Sequence, residues 1–236
     1  MLVILSVLLM RLVVCKKDIY MKTVAFVPIR LNSKRVVGKN LKMLGDKPLM
    51  CYVLETLSKV KGVDEVYCYC SNEAVKEYLP VGVKFLKRPE FLDRDETLGK
   101  EIYDEFTKTI EADVYILAHT TSPFMKIETF ENALNKIKNE DYDSAFSAEK
   151  IQTFAWYDGK PLNYDLKNIP RTQTIEPVFV ETSAFFMFKC DVWRVHKQRI
   201  GFKPYVALVD KIEGVDIDWP EDFEFAEKIL ESYSVK

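Results

Sequence analysis

Between Pro28 and Leu49 the chain gathers Arg30, Lys34, Arg35, Lys39 and Lys42 around Asn32, Ser33, Gly38 and Asn40, with Asp46 as the only acid. Cations at this density suit a multiply charged anion, phosphate above all, held through charge-assisted hydrogen bonds. The stretch is not a Walker A loop: Gly38-Lys39-Asn40 lacks a Ser or Thr after the lysine, and no glycine stands five residues before Gly38. Nor does it contain GxGxxG. Phosphate would therefore be held mainly by side-chain cations and not by a backbone cradle alone. A solvated basic loop is the plain alternative. A second constellation closes the chain: Asp216 and Asp218, followed by Trp219-Pro220-Glu221-Asp222. On a short strand these two aspartates point the same way, because side chains alternate with period two. Adjacent carboxylates repel unless a cation lies between them. Beside phosphates the natural cation is Mg²⁺, which takes oxygen ligands and keeps several waters. Asp216 alone also reads as a helix cap or a solvated acid. No Ser–His–Asp or Cys–His arrangement can be argued from spacing.

The elements that would position these groups follow from periodicity. Residues 24–29 form an apolar run rich in β-branched and aromatic residues, as a buried strand requires. Helical spacing of Leu49, Tyr52, Val53, Leu57 and Val60 follows, with Pro48 near the first turn. Strand, basic loop, helix is how an open α/β sheet builds a phosphate site at the carboxyl ends of its strands. Further strands are predicted at 63–70, 83–86, 113–118 and 143–148, and helices at 73–78, 99–110 and 127–139. This alternation predicts a three-layer α/β fold with a mostly parallel, Rossmann-like sheet. After Glu149 the pattern becomes irregular: Asp158-Gly159 is a hairpin-turn signal, and 178–189 reads as a long strand. Pro220-Glu221-Asp222 opens a closing helix with Phe223, Ala226 and Leu230 facing inward.

Composition narrows the class. With 48% hydrophobic and 30% charged residues and a net charge of −2, the chain has no global attraction for nucleic acid. Five cysteines and two histidines show no zinc spacing, and the cysteine usage fits a reducing cytosol. Residues 1–20 are apolar, too short for a membrane span and without the basic start of a signal peptide. They are expected to be an upstream extension outside the fold, leaving one domain at 21–236, with no membrane association and a cytoplasmic location.

The segment Pro28, Arg30, Ser33, Lys34, Lys39, Asn40, Leu41, Leu44, Lys47, Pro48, Leu49 resembles the opening of the acylneuraminate cytidylyltransferases, the CMP-sialic acid synthetases. The related CMP-Kdo synthetases look similar but usually lack the Lys-Asn pair. Three more blocks carry the resemblance: Arg88-Pro89 with Leu92 and Asp95, then Thr121-Ser122-Pro123, then Arg171-Thr172-Gln173. The Asp-Ile-Asp of Asp216 to Asp218 also matches. Departures are His119 where a Gln is common, Thr182-Ser183 in place of Asn-Gly after Glu181, and Trp219 in place of Thr. The resemblance implies a nucleotide-diphospho-sugar transferase-like fold with a small β insertion at about 150–200 that serves dimerisation. It implies transfer of a cytidylyl group from CTP to a 2-keto-3-deoxy sugar acid. It implies that Arg30, Ser33, Lys34, Lys39, Asn40 and Arg88 meet the nucleotide. His119, Thr121, Ser122, Arg171, Gln173 and Glu181 would meet the sugar, and Asp216 and Asp218 would hold Mg²⁺ or Mn²⁺. A different nucleotidylyltransferase or a glycosyltransferase on the same sheet, and a non-catalytic CTP-binding homologue, stay open as alternatives.

Overall fold

The computed structural model describes residues 20–234. The expectation for an extension over residues 1–20 therefore falls, apart from Tyr20, outside the described residues. Strand β1 (Thr23–Ile29) is buried along almost its whole length, as a strand covered on both faces must be. After it come a 3₁₀ turn (Lys39–Leu41), a minimal hairpin of β2 (Met43–Leu44) and β3 (Lys47–Pro48), and helix α1 (Leu49–Lys59). Then follow β4 (Glu65–Cys70), β5 (Val83–Lys87), α2 (Gly99–Thr109), β6 (Val114–Ala118), α3 (Ile127–Asn139) and β7 (Ser144–Ile151). The second half holds a hairpin of β8 (Trp156–Tyr157) and β9 (Lys160–Pro161), then β10 (Val178–Lys189), α4 (Cys190–His196), β11 (Pro204–Leu208) and α5 (Pro220–Ser234).

Seven strands form one sheet in the order β11-β7-β10-β6-β1-β4-β5. Only β10 runs against its neighbours, pairing antiparallel with both β6 and β7. The mostly parallel α/β architecture expected from the alternation is thus the architecture found. From β1 the chain passes through α1 to β4 on one side, whereas β6 lies on the other side of β1. The order reverses at that point, and a crevice opens outside the carboxyl ends of β1 and β6.

Helices cover both faces. On one face α1 and α3 bury Leu54, Leu57, Phe130 and Ile137 against Val27, Ile116 and Phe185. On the other, α2 and α4 bring Tyr103, Phe106 and Trp193 onto Phe26, Leu117 and Phe186. Phe106 is the centre of that second layer: its ring stacks on Phe26 at 4.1 Å and meets Tyr69 edge-on at 5.3 Å. A third, smaller cluster joins Phe223 and Ala226 of α5 to Val36, Leu44, Leu49 and Ile217. It fastens the closing helix to the basic loop.

Several predicted elements move. The segment 73–78 is a 3₁₀ helix (Glu73–Tyr78), too short to settle into an α-helix. Residues 215–218 form no strand, so the alternation argument for Asp216 and Asp218 is replaced by loop geometry, described below. Of the stretch 150–200, β10 belongs to the centre of the sheet, which leaves 190–200 and the longer part 152–177 outside it. Within that part Asp158 and Gly159 both adopt positive φ, 49° and 70°, and make the predicted hairpin turn. Cys68 and Cys70 are buried hydrophobes of β4, as expected. Among the described residues no helix is long and apolar enough to cross a membrane.

Truncating the aromatic centre tests this layering. Phe106→Ala should cost about 3–5 kcal/mol, read as a lower urea midpoint with an unchanged slope. A loss below about 1 kcal/mol would mean that the second layer closes without it.

Candidate functional site

The crevice at the strand reversal is a cavity of about 250 Å³. Its floor comes from the ends of two strands: Pro28 and Arg30 after β1, and His119, Thr120 and Thr121 after β6. Its wall is the basic loop, with Ser33, Lys34, Arg35, Lys39 and Asn40. Gly38 turns that wall with φ 64°, a left-handed conformation that costs glycine nothing, and so starts the 3₁₀ turn carrying Lys39 and Asn40.

Asn40 joins floor to wall. Its amide nitrogen donates to the Arg30 carbonyl at 2.7 Å, and its amide oxygen accepts from the Thr120 hydroxyl at 2.6 Å. Both bonds are sheltered, since Asn40 and Thr120 are each 5% exposed. The expectation that Asn40 meets a ligand is thus joined by a second task, holding the two strand ends together.

The cations of the cavity have resident partners. Asp95, from the loop before α2, pairs with Lys34 and lies 3.7 Å from Arg30. Lys34 and Arg30 hold the Asp95 carboxyl below the usual carboxylate range, with the Lys34 hydrogen bond contributing most. On the opposite wall Asp218 receives both arms of Arg35, at 2.8 and 3.1 Å, and Lys39 at 3.3 Å. The Arg35 guanidinium also lies 5.2 Å from the ring centroid of Trp219.

The Asp216–Asp218 segment is fixed through the peptide groups of Ile217. The Ile217 N–H donates to the Thr121 carbonyl at 2.8 Å, and the Ile217 carbonyl accepts from Lys39 Nζ at 2.7 Å. The two aspartates therefore flank a pinned residue, which brings both to the cavity without a strand. Crowding by the surrounding cleft raises the Asp216 carboxyl above its usual range; Thr121 opposes this with a hydrogen bond, and the nearby Asp218 carboxylate adds to it. Among the described residues no group of three or more His, Cys, Asp or Glu side chains could hold a metal by itself. Two hard carboxylates, Asp216 and Asp218, are nonetheless a donor set that fits Mg²⁺, which needs one or two carboxylates and completes its shell with water and phosphate.

His119 is half-buried and its Nδ1 lies 2.5 Å from the Ser183 carbonyl. A carbonyl only accepts, so Nδ1 carries the proton and Nε2 is the acceptor of the neutral ring. Burial holds the His119 pKa below its usual value. Ser183 sits where β10 bulges away from β7, with φ 57°. That left-handed backbone is the conformation a glycine accepts without strain, which gives a physical sense to the glycine of the similar family at this position.

The structure thus brings Arg30, Ser33, Lys34, Lys39, Asn40, His119 and Thr121 together, with Asp216 and Asp218 on the rim. Other sequence candidates lie elsewhere. Arg88 is 2% exposed and pairs with Asp93 at 2.5 Å. Ser122 is buried and its Oγ has no hydrogen-bond partner. Arg171 and Gln173 are exposed at the 3₁₀ turn Thr172–Thr174, and Glu181 faces Arg199 at 3.9 Å. Arg35 and Asp95 are members of the site that the sequence named without giving either a ligand role. Both stood inside stretches already marked, the basic loop and the segment after Arg88-Pro89.

Residues 24–235 match the family model described as cytidylyltransferase. The chain is 26% identical to N-acylneuraminate cytidylyltransferase A of Danio rerio over 209 residues, 83% of this chain and 49% of the relative. It is 28% identical to 3-deoxy-manno-octulosonate cytidylyltransferase 2 of Hydrogenovibrio crunogenus over 133 residues, 56% of this chain and 53% of the relative. The chain spans about half the length of the curated relatives it matches. In fold it is similar to a CMP:2-keto-3-deoxy-manno-octonic acid synthetase solved in complex with CTP, with a TM-score of 0.68 at 18% identity, covering 90% of this chain and 99% of that one.

Two outcomes test the geometry. Asn40→Ala leaves the Thr120 hydroxyl and the Arg30 carbonyl without their buried partner. It should lower stability by about 1–3 kcal/mol by denaturant titration; an unchanged midpoint would remove Asn40 as the brace. For His119, the folded pKa lies below the unfolded one, so the unfolded chain binds the proton first as pH falls. Stability should therefore decline as pH drops below about 6.5, the ordinary histidine value. His119→Gln should flatten that part of the melting-temperature profile, and an unaltered profile would count against a neutral imidazole at this place.

Proposed function

The chain belongs to the cytidylyltransferase family, and from that premise we propose that it activates a 2-keto-3-deoxy sugar acid, sialic acid or a related nonulosonic acid, with CTP to give a CMP-sugar and pyrophosphate. The observation that carries the reading is the set of four cations, Arg30, Lys34, Arg35 and Lys39, lining one cavity at the strand reversal beside two carboxylates. A triphosphate is the anion that fits it, because it brings enough charge to take over the partners that Asp95 and Asp218 now occupy.

In the proposed reaction the anomeric hydroxyl of the sugar attacks the α-phosphorus. A new P–O bond forms to the sugar oxygen, the hydroxyl proton passes to solvent, the bond to the bridging oxygen breaks, and pyrophosphate leaves with that electron pair. Negative charge grows on the phosphate oxygens, so catalysis is positioning plus charge stabilisation. Arg30 and Lys34 would meet the triphosphate where Asp95 now lies, and Lys39 would meet it from the pinned side. Ser33 would supply a hydroxyl to the phosphates. Nε2 of His119 would accept a hydrogen bond from a substrate hydroxyl. Asp216 and Asp218 would hold Mg²⁺ or Mn²⁺, which when bound supplies charge neutralisation and a more acidic hydroxyl. Cytoplasmic location and a homodimer, whose second subunit would bring Arg171 and Gln173 to the sugar, belong to the same proposal.

The test is pyrophosphate release with Mg²⁺, each of the four NTPs and a panel of nonulosonic and octulosonic acids. Release with CTP and one acid is expected. Lys39→Ala should lower turnover about a hundredfold, the order seen when one transition-state donor is removed. Near-normal turnover would take Lys39 out of the reaction. Asp218→Ala should abolish Mg²⁺-dependent release while the melting temperature shows a folded protein, and unchanged metal dependence would overturn the metal assignment.

A further inference from the structure

Two cations share one carboxylate at the rim of the cavity. Arg35 donates to both oxygens of Asp218, at 2.8 Å to Oδ2 and 3.1 Å to Oδ1. Lys39 adds a donor to Oδ1 at 3.3 Å. The guanidinium fork therefore covers the oxygen lone pairs that a divalent cation would need from Asp218. The two cations are not held alike. Lys39 has a side chain only 11% exposed and is also bonded to the Ile217 carbonyl at 2.7 Å, so it is built into the wall. The Arg35 side chain is half-exposed and lines the cavity alongside Arg30 and Lys34. Of the two partners of Asp218, Arg35 is the one free to leave.

Trp219 gives Arg35 a second hold. Asp222 Oδ2 accepts from the N–H groups of Asp218, at 2.9 Å, and of Trp219, at 2.7 Å, which fixes both residues where α5 begins. The Trp219 ring stands half-exposed from that point, 5.2 Å from the guanidinium carbon of Arg35. At this distance the ring attracts the cation through its π face. Arg35 thus has two unlike neighbours. A divalent cation can take the carboxylate from it, but has no use for the indole. A guanidinium kept beside an aromatic ring retains its N–H edge for an anion, and that edge fits phosphate oxygens.

We propose that Arg35 and a divalent cation compete for Asp218, and that Arg35, on yielding the carboxylate, turns on the Trp219 ring to the phosphates of the nucleotide. This exchange rests on the proposed cytidylyl transfer. It gives a task to Trp219, which stands where the similar family has Thr. It also couples the two ligands. With metal alone, the displaced guanidinium has only water for a partner and lies near a doubly charged ion, so the metal binds poorly. With a triphosphate present, the guanidinium regains an anion. Metal and nucleotide therefore tighten each other, by one and the same factor.

The experiment uses the full chain without any sugar acid. Mn²⁺ binding is titrated by electron paramagnetic resonance in the absence of nucleotide, and CTP binding by calorimetry in EDTA and in saturating Mn²⁺. Arg35→Gln should tighten nucleotide-free Mn²⁺ binding on the order of tenfold, because the competing cation is gone. The same variant should weaken CTP on the order of tenfold in Mn²⁺, the loss of one charged hydrogen-bonding partner, and by clearly less in EDTA, where the wild-type guanidinium stays on Asp218. Trp219→Leu keeps the Arg35–Asp218 pair and removes the ring, so it should weaken CTP severalfold in Mn²⁺ while nucleotide-free Mn²⁺ binding stays near wild type. An unchanged Mn²⁺ affinity in Arg35→Gln overturns the competition. Equal CTP losses in EDTA and in Mn²⁺ would make Arg35 a plain phosphate ligand and overturn the exchange. Wild-type CTP affinity in Trp219→Leu overturns the turn on the ring. Asp218→Asn separates these failures from that of the reading beneath them. If it loses Mn²⁺ binding, the metal sits on Asp218, and a failure of the Arg35 variant sinks the exchange alone. If it binds Mn²⁺ as the wild type does, the metal assignment falls and the exchange with it. No CTP binding by the wild type under either condition would overturn the nucleotide reading itself.

Discussion

One buried amide holds the site open and in register. Asn40 reaches from the basic loop to the Arg30 carbonyl after β1 and to the Thr120 hydroxyl after β6. A parallel sheet leaves a gap where strand order reverses, because the two connections depart to opposite sides. Left alone, that gap would let the loop drift from the strand ends. With Asn40 sheltered from water, the two hydrogen bonds have no competitor. Arg30, Lys34, Arg35 and Lys39 are then displayed from a loop of known position.

The other side of the cavity is held by backbone. Ile217 spends its N–H on the Thr121 carbonyl and its carbonyl on Lys39, so the segment between β11 and α5 becomes part of the wall. The small cluster of Val36, Leu44, Ile217 and Phe223 secures it from behind. Sheet, basic loop and closing helix thus converge on one cavity although they are far apart in sequence. The single reversed strand, β10, adds the bulge whose Ser183 carbonyl orients His119.

Much of this was legible in the chain itself. The buried run of β1, the helical spacing of α1 and α3, and the Asp158-Gly159 turn are local signals, and local physics decided them. The cationic loop was legible because charge density survives any detail of folding. Asp216 and Asp218 come beside the cavity cations through a pinned peptide and not through the strand alternation that the sequence suggested. What was not legible depends on contacts across the chain. Asp95 stands in a marked segment without a stated role and Arg199 is an ordinary charged residue in sequence, and only the sheet order brings one to the basic loop and the other to Phe186. Cys190 to Leu208 likewise carries α4 and β11 without a periodic signature strong enough to announce them.

The carboxylates that face the cations bear on how the cleft presents its charge. Asp95 and Asp218 already pair with Arg30, Lys34, Arg35 and Lys39, so the cleft offers only a muted positive field to its surroundings. An anion reaches these cations by exchanging places with one carboxylate at a time. A chain with a net charge of −2 thus carries a strongly basic loop whose charge is masked from outside.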